Sequence, residues 1–405
     1  SVSDNKKTSR RGWQEVFAQG EPHQEFTLRP YQPHGTDLKA CYCFTPFILR
    51  HCHTPFNYFH ASGALTRRYV TASCGDSLDV PCQHGYSENP KTQRRLQDNP
   101  AGGPMRYYRL MASDGGPILA VEAQDGLLAS LTSIDDRLTD IGQLIFASSM
   151  SSTDMDTMTQ QIVDSGNPDT FGLLDVTDDS REGTGDLWLD LPLDPPEVWA
   201  AGVTYKSSEM ERMRESDTPD VYSKVYAADR PELFFKATAE RCVGPFESVG
   251  IRGDSKWNVP EPELAFILYK EEIVGYTVGN DMSSRSIEGE NPLYLPQAKV
   301  YARSCALGPC FVSAGNIDPQ NVSVESTISR DQEVVFSGQT STSQMARTCE
   351  EIAGWLTRHN EVPNMTTVLT GTSIVPPPEF SLQEGDVVSI TIEGIGTLEN
   401  PAVFV

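Results

Sequence analysis

Two glutamates two residues apart, Glu261 and Glu263, enter an apolar run, Leu264 to Leu268, and a second apolar run, Ile273 to Gly279, ends at Asn280-Asp281. In a strand, positions i and i+2 face the same side. A strand here therefore aims both glutamate carboxylates into one place. Lys270-Glu271-Glu272, between the runs, reads as the turn of a hairpin that returns Asp281 to the same end. Three carboxylates without a neighbouring Cys or His suit a hard cation with oxygen ligands, Mg2+ first and Mn2+ or Ca2+ after it. Lys299 lies downstream, where a base or counter-charge would stand. A Glu-x-Glu at a strand start is also what a solvated strand end looks like, so spacing alone leaves both readings open.

The elements that must position these groups lie in the second half of the chain. PPEVWAAGVTY (195–205) contains a buried strand ending near Tyr205, and strand ends are where sites often form. RPELFFKATAERCVG (230–244) is a strand flanked by Glu232 and Lys236, a pair that a structural ion pair explains as well as a site does. Cys242 reads as buried packing. KSSEMERMRESD (206–217) is a charged surface helix, LGPCFV (307–312) a buried strand, and 318–342 a hairpin with one wet face. RTCEEIAGWLTRHN is an amphipathic helix with His359 at its end. In LTGTSIVPP (369–377), backbone N–H groups and the Thr372 hydroxyl offer donors to a carboxylate. Two strands close the chain. The architecture is α+β and strand-rich, without internal repeat, Walker motif or GxGxxG.

The 405 residues suffice for two or three domains, and their formal charge is −24. It is unevenly placed: residues 1–104 carry a net +3 and residues 105–405 a net −27. An acidic globular part with few lysines fits high salt, where self-repulsion is screened, and makes a nucleic-acid partner unfavourable. No apolar run approaches membrane-spanning length and no signal-peptide pattern is present, so a soluble cytoplasmic protein is expected. Five of nine cysteines and six of seven histidines lie in residues 1–104, among them Cys41, Cys43, Cys52, His51 and His53. Their spacing has no CxxC pair and matches no common zinc module. We expect the native domain to begin at Met105, with 1–104 a mis-assigned start or disordered extension. Residues 105–193 then form a small N-terminal domain: a short strand, a turn at Asp114-Gly115-Gly116, a second strand and a helix near Leu138–Ala147. The stretch 175–186 reads as an exposed acidic loop.

In the order they occur, PPEVWAAGVTY, RPELFFKATAERCVG, PEPELAFIL (260–268), GYTVGNDMSSR (275–285), ENPLYLPQAKVYA (290–302), LGPCFV and LTGTSIVPP resemble the fumarylacetoacetate hydrolase family. RPE-FFKA, RCVG, PEPELA and ENPLYLPQ-K-YA are closest to its branch that dehydrates 2-keto-3-deoxy sugar acids. The resemblance covers most of 195–405 and implies a β-roll-like catalytic domain over 194–405, working as a homodimer or homotetramer. It also implies a metal on Glu261, Glu263 and Asp281. Lys299 becomes the candidate base or enolate stabiliser, with a pKa lowered beside the cation, and Glu232 the acid for the departing hydroxyl. Lys236, Arg285, Thr372 and Tyr205 become substrate contacts, and 206–217 a mobile cap. Ser284-Arg285-Ser286 stands where the family usually has Ala-Arg-Asp.

Relatives that cleave carbon–carbon bonds activate water with a His–Glu pair, whereas His359 is the sole histidine in 105–405. The expected reaction is therefore conversion of a 2-keto-3-deoxy-D-pentonate to 2,5-dioxopentanoate. The alternatives are a fumarylacetoacetate- or acylpyruvate-type hydrolase and, from another class, a non-catalytic metal-binding module in residues 1–104.

Overall fold

The computed structural model describes residues 104–405 apart from 114, 184, 207–224 and 227. The cysteine- and histidine-rich start, with its zinc reading, and the cap helix beyond Lys206 lie outside the described residues.

A twelve-stranded mixed sheet carries the site. Its strands used below are β1 (Arg106–Ala112), β2 (Gly116–Gln124), β3 (Leu127–Ser130), β4 (Val198–Gly202), β5 (Glu232–Ala237), β6 (Pro262–Tyr269), β7 (Glu272–Asp281), β8 (Cys305–Ser313) and β9 (Thr366–Leu369). They run in the order β3-β2-β1-β8-β7-β6-β9-β4-β5. A five-stranded sheet includes the hairpin of Ser323–Arg330 with Glu333–Ser341 and the closing strands Val387–Ile392 and Gly396–Phe404. The strand-rich α+β expectation is met.

Period-two alternation divides the cores. Leu264, Phe266 and Leu268 of β6 join Val278, Ile390 and Leu398 in a core shared by both sheets. Ile267 and Tyr269, on the opposite side of β6, pack with Tyr107, Leu119, Ile141 and Phe311. Ala265 continues that second face towards the site, against Leu369, Ala200 and Cys305. Because β6 is buried along its whole length, it reads as a continuous apolar run rather than an alternating one.

The helices are few. Asp140 caps α1 (Ile141–Ser151) and Asp154 caps α2 (Met155–Ser165), so the helix expected near 138–147 begins later, where its cap stands. The stretch expected as an exposed loop, 175–186, is mostly helix α3 (Leu173–Glu182). Leu173 and Val176, three apart, turn one side inward. Asp175 near its start, Arg181 near its end and left-handed Gly183 after it suit a helix. β1 pairs with both β2 and β8, so the sheet runs on across residue 193; the expected division there separates segments of chain within one hydrogen-bonded sheet. Among the described residues, three more short helices bear on the site: α4 (Arg285–Glu290), α5 (Leu295–Lys299) and α6 (Cys349–Leu356). His359 lies three residues past α6 and is exposed.

Candidate metal centre

The centre follows from one hairpin. β6 and β7 pair with Glu263 opposite Gly279 and Pro262 opposite Asn280. One step further, the Asp281 N–H donates to the Glu261 carbonyl at 3.0 Å, which sets Asp281 across from Glu261. Residues 261, 263, 265 and 267 share a side, so the carboxylates prolong the row of Ala265 and Ile267 past the strand end. Lys270 and Glu271 at the turn have φ of +51° and +66°, the pattern of a tight two-residue hairpin. Carboxylate oxygens of Glu261, Glu263 and Asp281 all lie within 4.8 Å of one another, and all three residues are buried.

Buried charge is tolerated only when paired, and three cations meet these carboxylates. Lys299, the last residue of α5, has Nζ 2.6 Å from Glu261 Oε2 and 3.0 Å from Asp281 Oδ2. Arg285, the first residue of α4, has Nη2 2.8 Å from Glu261 Oε1. Lys236 of β5 is fully buried, with Nζ 2.6 Å from Asp281 Oδ1, and donates to the carbonyls of Met282 and Lys299 at 2.8 and 2.6 Å. Glu263 is the carboxylate least provided for. Its Oε2 accepts from the Gly371 N–H at 2.6 Å. Burial, then the charges of Asp281 and Glu261, push its carboxyl well above the usual range, with Lys299 and the Gly371 N–H pulling the other way.

A divalent cation fits this donor set. It would relieve the mutual repulsion that raises Glu263, and all the donors are hard oxygens. Asp281 Oδ1, although beside Lys236, makes no hydrogen bond among the described residues: the contact is an ion pair without hydrogen-bond direction.

A small cavity opens over the triad. Of the residues singled out from sequence, Glu232, Arg285, Lys299 and Thr372 stand on its wall with the triad itself. Lys236 and Tyr205 are brought close but are not on that wall. Lys236 is spent on Asp281 and two carbonyls. Tyr205 is buried, and burial followed by the charge of Glu263 raises its phenol pKa. The Gly371 N–H, expected to greet a substrate carboxylate, is instead taken by Glu263, because a buried carboxylate needs a donor. The Thr372 hydroxyl accepts from the Ile374 N–H at 3.1 Å. Ser286, in place of the family's Asp, has its hydroxyl 2.9 Å from that of Ser255.

Glu288 is the charged wall residue that sequence reasoning missed. It is buried and accepts from the Ser283 hydroxyl at 3.2 Å. The available signal was its spacing: Arg285 and Glu288 are three apart on one helix, hence on one side. Val203, also on the wall, has φ +54°, a left-handed conformation uncommon for a β-branched residue.

Comparison with known proteins bears on this geometry. The model of the family described as fumarylacetoacetate (FAA) hydrolase C-terminal matches residues 197–403. The chain is 49% identical over 302 residues to a probable 2-keto-3-deoxyxylonate dehydratase of Haloferax volcanii, covering 74% of this chain and 100% of that one. It is 45% identical over 225 residues to 2-dehydro-3-deoxy-D-arabinonate dehydratase of Saccharolobus solfataricus, covering 53% of this chain and 74% of the relative. Among solved structures it is similar to 2-keto-3-deoxy-D-arabinonate dehydratase complexed with magnesium and 2,5-dioxopentanoate. That match has a TM-score of 0.63 and 34% identity, and it covers 74% of this chain and 99% of the other.

Proposed function

The chain belongs to the fumarylacetoacetate hydrolase family, and on that premise we propose that it is a magnesium-dependent hydro-lyase. It removes water from a 2-keto-3-deoxy-pentonate of the arabinonate or xylonate type and yields 2,5-dioxopentanoate. The observation that carries the reading is the buried triad of Glu261, Glu263 and Asp281 beneath a cavity walled by further carboxylates and cations. Bound there, Mg2+ supplies Lewis acidity towards the 2-keto acid end of the substrate. The chain's own residues do the rest. Lys299, on the wall beside two triad carboxylates, takes the C3 proton as the neutral amine or, as the ammonium, stabilises the enolate that its loss leaves. Glu232, on the wall at the start of β5, delivers a proton to the departing C4 hydroxyl. Arg285 and Thr372 orient the substrate. Lys236 and Tyr205 act from behind the wall, Lys236 by holding Asp281. His359 is exposed after α6 and takes no part, which favours loss of water over a water-activating hydrolysis. The family-based reading extends to a cytoplasmic homodimer or homotetramer, and the net charge of −24 supports work in concentrated salt.

A mass-resolved assay tests this. The protein is incubated in high salt with Mg2+ and either 2-keto-3-deoxy-D-pentonate or an acylpyruvate. Loss of one water from the sugar acid, stopped by EDTA, is the expected result; cleavage of the acylpyruvate alone sinks the assignment.

A further inference from the structure

The reaction just proposed asks for two proton relays. Loss of the C3 proton and C4 hydroxyl leaves a C3=C4 double bond conjugated with the C2 ketone, while C5 still bears its hydroxyl. Reaching an aldehyde at C5 requires a further isomerisation, in which a C5 proton leaves and C3 and C4 are reprotonated. Glu232 and Lys299 are occupied at the C3–C4 end. Glu288 is the second wall carboxylate beyond the triad, and it has no task in the elimination. It does not belong to the metal-ligand group, whose oxygens are those of Glu261, Glu263 and Asp281. It is 4% exposed and accepts from the Ser283 hydroxyl. It lies on the same short helix as Arg285, which is ion-paired to Glu261. A buried carboxylate on a substrate cavity is an acceptor for a hydroxyl and a base for an acidified C–H.

We propose that Glu288 is the catalytic residue of the second half-reaction, binding the C5 hydroxyl and removing a C5 proton. This rests on the dehydratase reading. The C5–H electrons form C4=C5, the C3=C4 pair moves to C2–C3, and the C2 oxygen takes the charge. Protonation at C3 restores the ketone and leaves an enol at C4–C5. That enol gains a proton at C4 and loses its hydroxyl proton to become the aldehyde. The net change is isomerisation, with no oxidant or co-reactant.

The test supplies the unsaturated intermediate, 5-hydroxy-2-oxopent-3-enoate, directly to the full chain with Mg2+. Decay of its conjugated absorbance and trapping of the aldehyde are both followed. The wild type should convert it faster than buffer, Glu288→Gln about 10²-fold more slowly than wild type, and Glu288→Asp should recover part of the rate. Calorimetry should show Glu288→Gln binding Mg2+ as tightly as the wild type. Equal rates for Glu288→Gln and wild type overturn the proposal, as does a wild type no faster than buffer. Weakened Mg2+ binding by Glu288→Gln also overturns it, because the residue then serves the metal. Failure of the dehydratase reading itself is seen separately, as wild-type protein that leaves the saturated sugar acid intact.

Discussion

The two sides of the site are built by different means. The triad side hangs on sheet register: β6 is buried along its length and hydrogen-bonded to β7 on one edge and β9 on the other. The rest of the wall is assembled from ends and turns. It uses Gly202 and Val203 where β4 stops, Glu232 where β5 starts, Glu288 in the six-residue α4, and Gly371-Thr372 after β9. Two of these turn residues, Val203 and Gly371, are left-handed, at φ +54° and +92°. Register fixes an acidic cluster wherever the pairing is fixed. Turns and short helices can change without unpicking a sheet. On the proposed reading, holding the cation is thus a property of the scaffold, and choosing the substrate a property of local segments.

The largest effect should come from breaking the register side. Glu261→Gln removes one of three hard ligands and leaves Arg285 and Lys299 facing a neutral amide. Turnover should fall by at least roughly 10²–10³-fold and Mg2+ affinity should fall with it. Steady-state kinetics and calorimetry check both, and retained turnover would falsify the assignment of the triad.

Next in size is Lys236→Met, which sharpens the contrast by attacking the scaffold's charge balance from behind the wall. It strands Asp281 Oδ1 and frees two buried carbonyls from their donor. Breaking a buried pair from one side costs about 3–5 kcal/mol, to be read as a lower denaturation midpoint without metal. Mg2+ should restore more stability to this variant than to the wild type, because the cation replaces the lost charge. A variant as stable as wild type would place Lys236 outside that balance.

Gly371→Ala probes the point where the two sides meet. A Cβ there would collide with the Thr204 hydroxyl and the Ala201 carbonyl, and the residue's φ of +92° strains any side chain. The same residue's N–H holds Glu263. A stability loss of about 1–3 kcal/mol is expected, with Mg2+ affinity weakened by roughly tenfold at most. If metal affinity instead falls as far as in Glu261→Gln, the wall is no less part of the metal scaffold than the hairpin.

The same contrast explains how far the sequence could be read. The convergence of Glu261, Glu263 and Asp281 was readable from strand alternation and a hairpin between the two apolar runs, but a solvated strand end fitted the spacing equally until the family resemblance was added. Lys299 was legible by resemblance, and its place between Glu261 and Asp281 depends on α5, which no periodicity over five residues announces. Glu288 was not found, because a six-residue helix gives too short a pattern to show which side faces a cavity. The backbone N–H groups of 369–377 were offered to a substrate, although Gly371's is taken by Glu263, because a turn's N–H looks the same in sequence whichever group takes it. Residues 173–182 looked like loop because acidic composition hides the one inward stripe, Leu173 and Val176.

The smallest expected effect extends the comparison from two sides of the site to two ends of the chain. Every residue on the described cavity wall, and every member of the triad, lies between Ala201 and Thr372. The strands that prolong the site's sheet begin at Arg106. The relative matched at 49% identity is covered completely by 302 residues of this chain. Charge differs in the same sense, with the acidic excess confined to 105–405. A protein beginning at Met105 should therefore keep wild-type kcat and KM on the sugar acid, and wild-type Mg2+ affinity, within about twofold, or less than 0.5 kcal/mol. Loss of kcat with unchanged Mg2+ affinity would mean that residues 1–104 complete the wall but not the triad, so that substrate choice extends to the start of the chain. Loss of both would mean that the sheet itself depends on them, and the separation of scaffold from wall would fail at its root.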